Sequence, residues 1–316
     1  MSGKSLIEVI NDNRIIATMG ICKNAGKTTV LNHIVHELVD HQVLGITSIG
    51  YDGEETDIIT KLPKPKVLVY PGMIVATTRS CLLKTAVKYE LLFDPQMNTS
   101  IGQVFIVKVK SSGFIEISGP SIRSSLQKIS MKMIELGCDK VILDGAAGRI
   151  SFGTIADACI LSIGAALSTS LDKVIKSSKH EIDILSLKGF EGINEVPIVE
   201  DSPYKKLSHH NLDYYVFRGS LVDQDLIELM KDKQENQGDI KVIVNDPTAL
   251  FVSTKLLHKF RVKQGNIYVR NSVQLKAVTI NPMSPYGEWF ESEEFLSEMK
   301  KVTDLPVYDV KQKECI

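Results

Sequence analysis

The chain is 316 residues long, with 43% hydrophobic and 24% charged residues, the composition of an ordinary globular protein. Its 37 basic and 38 acidic residues leave a net charge of −1, so no basic field draws it to nucleic acid or to a membrane surface. No apolar run reaches the roughly 18 residues of a bilayer span, and the N-terminal MSGKSLIEVINDNR lacks a secretory apolar core, so a cytoplasmic protein is the economical expectation.

Residues 14–19 predict a first strand and 28–40 a helix, with Val30, Leu31, Ile34, Val35, Leu38 and Val39 at helical spacing. A β-branched strand at 43–48 runs into the acidic, glycine-punctuated stretch 49–57. Strands are expected at 66–70 and 74–78 and a helix over 80–92. Residues 102–118 (GQVFIVKVK, a turn at 111–113, then FIEIS) read as an inserted β-hairpin. A helix at 121–136 precedes strands at 140–143 and 158–162, and another helix follows near 170–178. The stretch 179–240 is the least informative and is set aside as a variable segment. Alternation returns with a strand at 241–246, a helix at 248–260, strands at 267–269 and 277–280, and a final helix at 292–302. Helices alternating with short apolar strands imply βαβ units. The expected fold is α/β, a mostly parallel sheet with helices on both faces, forming a single domain over 1–316.

Gly20 to Thr29 read GICKNAGKTT, between the first strand and the first helix. That context turns Gly26-Lys27-Thr28 into a phosphate cradle. Loop and first-turn N–H groups have no intrahelical acceptors, and the helix dipole adds positive character there. Gly20, Asn24, Ala25, Gly26, Lys27, Thr28 and Thr29 are therefore the candidate nucleotide-binding residues. Lys27 would supply charge to the outer phosphates and the Thr28 hydroxyl would be a ligand for Mg²⁺. Gly20 and Gly26 enclose five residues where the usual loop has four, which marks a subclass.

Ligands bind α/β sheets at the carboxyl ends of strands, and three such ends carry suitable chemistry. Asp144, after the apolar strand VIL, is the expected second metal ligand, with Gly145-Ala146-Ala147-Gly148 allowing close approach. Asp52, nearest the second strand among Asp52, Glu54, Glu55 and Asp57, would bind Mg²⁺ or orient the attacking group. Asn281, in the proline-stiffened INPMSP, has donors and an acceptor to read a purine edge, or simply makes a turn. Arg149 could complement phosphate charge or lie at the surface. ATP is the expected nucleotide; no Asn-Lys-x-Asp guanine motif occurs, and the residues leave the choice between ATP and GTP open.

Cys22, Cys81, Cys138, Cys159 and Cys315 are odd in number and lack CxxC spacing, which argues against a disulfide framework or a zinc site. Cys138 and Cys159 read as buried small hydrophobes. Cys22 lies in the loop, where a helix N-terminus lowers a thiol pKa and would favour redox sensitivity; the alternative is a position whose backbone alone matters. The seven histidines show no metal-binding spacing.

The GICKNAGKTT loop resembles that of dethiobiotin synthetase and cobyric acid synthase, P-loop proteins of the SIMIBI class that use the longer spacing. Asp144-Gly145-Ala146-Ala147-Gly148 resembles the Mg²⁺-holding stretch of dethiobiotin synthetase, with Asp in place of Glu. The resemblance implies the parallel sheet of that class, with Lys27, Thr28, Asp52 and Asp144 in its phosphate and metal roles. Together with LGITSIGYDGEETD, TSIGQVFIVKVKSSGFIEISGP, VILDGAAGR and INPMSPYG, the loop resembles the P-loop subunit of lysine 5,6-aminomutase reactivase. That likeness implies ATP spent on removing damaged cobalamin from a stalled adenosylcobalamin-dependent aminomutase of lysine fermentation. A MutS-like ATPase subunit would be its partner, and dimers are common in the class. The alternative is an ATP-dependent ligase or kinase of the dethiobiotin synthetase type, with Thr77, Thr78 and Arg79 forming a carboxylate pocket.

Overall fold

The computed structural model describes residues 4–50, 67–145, 151–191, 204–209, 212–235, 240–287 and 289–310. Helix α1 (Leu6–Ile10) leads into strand β1 (Ile15–Gly20), helix α2 (Lys27–Leu38) and strand β2 (Leu44–Ser48). Strands β3 (Val67–Val69) and β4 (Ile74–Thr78), helix α3 (Arg79–Lys84), and strands β5 (Tyr89–Phe93), β6 (Asn98–Thr99), β7 (Gly102–Val109) and β8 (Gly113–Ile115) follow. Next come helix α4 (Arg123–Glu135), strands β9 (Lys140–Asp144) and β10 (Ala158–Gly164), and helix α5 (Leu171–Leu185). Strands β11 (Tyr204–His209), β12 (Leu212–Phe217) and β13 (Leu221–Val222) precede helix α6 (Asp223–Glu235). Strands β14 (Lys241–Val244) and β15 (Leu250–Phe251), helix α7 (Thr254–Val262) and strand β16 (Asn266–Val269) come after it. Strand β17 (Leu275–Asn281), helix α8 (Ser292–Lys300) and strand β18 (Val307–Asp309) complete the described chain.

Met1–Ser178 with Gln274–Ile316 form one compact unit, and Lys179–Val273 form a second. In the first, a ten-stranded sheet runs in the order β18-β17-β10-β1-β9-β2-β4-β7-β5, with β6 added on β7. Pairing is parallel from β18 to β4 and antiparallel beyond. Strands β1, β2 and β10 are buried along their whole length. That is why they read as continuous apolar runs: in a parallel sheet covered on both faces, both side-chain rows point into a core. Helix α2 buries Val30, Leu31, Ile34, Val35 and Leu38 in a core with Ile16, Ile46, Val75 and Ile142.

Lys140, at the start of β9, is almost fully buried. Its ammonium donates to the backbone oxygens of Ile10 (3.3 Å), Asn11 and Asn13 (2.7 Å). These carbonyls lie at the end of α1 and in the turn that follows it, and a buried cation is tolerable only with such bonds.

The second unit has its own four-stranded sheet, β11-β12-β14-β16, parallel except for β11. Its own core joins Leu226, Leu229, Val242, Val244, Leu257 and Phe260. The single-domain expectation is therefore revised to two compact units. The alternation after residue 241 belongs, through β16, to the smaller sheet, because β14 pairs with β12 on one edge and with β16 on the other. The segment 179–240 set aside as variable supplies β12 and α6 to that unit.

Two further expectations are corrected. The helix expected over 80–92 ends at Lys84, and residues 89–93 (YELLF) form β5 instead. Aromatic residues suit a strand, and β7 offers a partner that local pattern cannot reveal. The hairpin at 102–118 does not form either. Strand β7 lies between β4 and β5, while β8 pairs with β3 in a separate two-stranded sheet. With neighbours on both edges, β7 has none free for β8.

Candidate functional site

Strand β1 ends at Gly20, and its ladder is prolonged by a bond from Ile21 N–H to the Ser162 carbonyl (3.1 Å). Asn24 then adopts φ +60° and Gly26 φ +102°, both in the left-handed region, and α2 starts at Lys27. Gly26 is the N-cap, so it brings no side-chain acceptor, and the first turn of α2 contains no acidic residue. The dipole end of this helix is therefore uncompensated by its own sequence, the arrangement that favours an anion.

Close approach explains the small residues. A Cβ on Gly20 would lie 2.8 Å from Lys27 Cγ and 3.2 Å from its Nζ, so the lysine stem folds back across the start of the loop. A Cβ on Gly164, at the end of β10, would lie 2.9 Å from Ala25 Cα, which packs the loop directly on the neighbouring strand. Gly164 belongs to the site and was not singled out from sequence; its signal was a glycine closing an apolar strand.

Asn281 sits at the carboxyl end of β17, two strands from β1. Its Nδ2 donates to the Asn24 carbonyl (3.3 Å) and its Oδ1 accepts from Met283 N–H (3.4 Å). A Cβ on Gly26 would lie 3.0 Å from Asn281 Cβ. The Nδ2 end of the amide therefore braces the loop, while the Oδ1 end fixes the turn that follows β17.

Strand β9 lies between β1 and β2, with Asp144 opposite Thr18 and Ser48. The Asp144 residue is half-buried, yet its Oδ1 is sealed from solvent and has no hydrogen-bond partner among the described residues. Burial pushes its pKa up from 3.8 to about 6, and Lys27 opposes that rise. Asn24 Nδ2 is likewise buried and unpaired. Gly145 turns the chain where a Cβ would meet Phe152 at 2.1 Å and the Thr18 carbonyl at 2.8 Å.

Lys27, Thr28 and Thr29, all half-buried, thus share one end of the sheet with Asp144, Asn24 and Asn281. Asp52, Glu54, Glu55, Asp57 and Arg149 lie outside the described residues. Cys22 does not have the lowered pKa expected of a loop thiol: burial raises it and outweighs Lys27. Cys138 and Cys159 are buried, and their thiols are pushed up to about 12. The Thr77 hydroxyl bonds the Glu116 carbonyl and Ser118 N–H, while that of Thr78 bonds Ser80 and Cys81. With Arg79 exposed, these three do not converge on a carboxylate pocket.

The residues present suit Mg²⁺. Among the described residues no group of three or more His, Cys, Asp and Glu could hold a metal. Mg²⁺ bound with a nucleotide needs only one or two protein oxygens, since phosphates and waters complete its shell. An unpaired buried carboxylate oxygen beside the loop fits that requirement.

No family model matches the chain, and no curated protein matches it. Among solved structures, it is similar to the MinC:MinD cell division protein complex of Aquifex aeolicus. The identity is 12% over 93% of this chain and 79% of that one, with a TM-score of 0.32, a likeness too slight to carry an argument. No described helix is long and apolar enough to cross a membrane.

Proposed function

We propose that the protein binds ATP with Mg²⁺ at residues 20–29 and hydrolyses it. The observation that carries this reading is the pairing of an uncapped helix N-terminus with an orphaned, buried Asp144 oxygen at the end of the adjacent strand. The helix end attracts phosphate oxygens. An unpaired buried polar group costs about 1–3 kcal/mol, which a bound ligand would relieve. In this assignment Lys27 takes the outer phosphates, Thr28 and Asp144 hold Mg²⁺, and the metal supplies charge neutralisation at the β- and γ-phosphates. Asn281 holds the loop in its phosphate-ready form, and Asp52 takes the expected role of orienting the attacking water.

The resemblance to the reactivase subunit supports a narrower reading, in which hydrolysis drives release of damaged cobalamin from an aminomutase together with a MutS-like ATPase. Titration calorimetry with ATP, with and without Mg²⁺, and a phosphate-release assay test the first step. Metal-dependent binding that Lys27→Ala removes without lowering the melting temperature is the expected result. Equal binding by that variant would refute the assignment. For the second step, an inactivated aminomutase is incubated with the chain, its partner ATPase and ATP. Turnover should recover, and recovery that is absent or indifferent to Lys27→Ala removes the coupling.

A further inference from the structure

Strand β5 is the last strand at one end of the large sheet among the described residues. Lys88 N–H donates to Ser111 Oγ (2.9 Å), the Lys88 carbonyl accepts from Lys110 N–H (2.7 Å), and Glu90 is opposite Lys108. Backbone direction alternates along an antiparallel strand. Lys88 and Glu90 therefore face β7, and the N–H and C=O groups of Tyr89 and Leu91 face outward. The side chains add apolar surface: Tyr89 is 40% and Leu91 56% exposed. Phe114, 58% exposed, lies beside the approach to β5, its carbonyl bonded by the Thr85 hydroxyl. No proline interrupts residues 86–94. An apolar edge of this kind is a template for another strand.

The geometry points to β5 as the interface of a homodimer, in which two sheets join edge to edge, antiparallel, about a two-fold axis at Tyr89. This register places Tyr89 against the partner subunit's Tyr89 and Leu91 against the partner subunit's Val87. Lys88 then opposes the partner subunit's Glu90, and the symmetry repeats that ion pair. Moving the axis one residue to Glu90 would set two carboxylates against each other, which is destabilising. Moving it to Leu91 would require a ladder through the irregularity between Leu91 and Phe93, where the pairing with β7 shifts. Within each chain Lys110 already pairs with Glu90 (2.5 Å), so at this register Lys88 would share that carboxylate with it. With Val87 N–H already donated to Thr85 Oγ1 (3.1 Å), the ladder rests on the outward groups of Tyr89 and on Leu91 N–H. Since β5 lies five strands from β1, about 24 Å at the usual strand spacing, dimerisation does not depend on nucleotide.

Sedimentation velocity of the full chain at tens of micromolar, without nucleotide, should show a dimer. Lys88→Glu or Glu90→Lys should each weaken association roughly tenfold by creating two like-charge pairs, and the double reversal should restore it. Tyr89→Cys should cross-link under mild oxidation, because directly opposed, hydrogen-bonded residues have Cα atoms about 5.5 Å apart, within disulfide reach. Leu91→Cys should not, since its two copies would lie about 14 Å apart along the strands. Thermal melts verify that each variant is folded. A monomeric wild type, absence of the Tyr89→Cys cross-link, or cross-linking through Leu91→Cys instead would overturn the assignment.

Discussion

Replacing Asp144 by Asn keeps the shape of the side chain and removes its charge. The folded pKa of about 6 lies above the ordinary 3.8 because burial disfavours the carboxylate. A gap of about 2 units at 1.36 kcal/mol each corresponds to a cost of up to about 3 kcal/mol for holding Asp144 ionised at pH 7. The sign follows from linkage: the native state binds this proton more tightly than the unfolded chain. Stability is therefore lost as the pH climbs from about 4 to about 6, and no cost remains below about 4. Asp144→Asn should accordingly be more stable than the wild type at pH 7, by up to about 3 kcal/mol, with the difference vanishing near pH 4. Urea unfolding across this range, in EDTA and without nucleotide, measures it. With Mg²⁺ and ATP the wild type should gain more stability than the variant, since the orphaned oxygen then has its cation. Equal stabilities at pH 7, or a gap that does not narrow on acidification, would refute the reasoning.

Asn281→Ala should cost about 1 kcal/mol of stability through the lost brace on Asn24 and weaken ATP and GTP by the same factor. A changed ATP to GTP ratio would instead assign the amide to the base. Gly26→Ala should cost about 1–2 kcal/mol for the left-handed conformation alone, visible as a lower melting temperature, and should displace the Asn281 contact and weaken nucleotide binding. Cys22 should alkylate more slowly than a free thiol at pH 8, and more slowly still in Lys27→Ala, because the lysine partly offsets the burial that raises the thiol pKa. Faster alkylation than a model thiol would contradict that balance.

The strand, loop and helix around residues 20–29 were legible because their signal is local: spacing, glycines and a following amphipathic helix lie within twenty residues. The position of Asp144 was legible for a similar reason, as an acid closing an apolar strand. Strand β5 was not, because a short apolar stretch after a helix suits either structure until β7 is alongside. The β7–β8 hairpin failed for the same physical cause, since each strand found a better edge elsewhere. The second unit escaped notice because an alternating strand and helix look alike whichever sheet they join. Asn281 was found, but its bond to Asn24 spans 257 residues, beyond anything a local pattern encodes.

The bonds from Lys140 to the end of α1 bear on where the chain can be shortened. Helix α1 is one and a half turns long and sits at the start of the described chain, the kind of segment that invites trimming. Cutting it away at Asn13 would remove three acceptors at once, and Asp12 with them, leaving the ammonium only the more distant charges of Asp139 and Asp157. The same lysine begins the five-residue strand that ends at Asp144. Damage at the first dozen residues would thus be felt at the opposite end of β9, as a loss of nucleotide affinity in a protein whose loop sequence is intact.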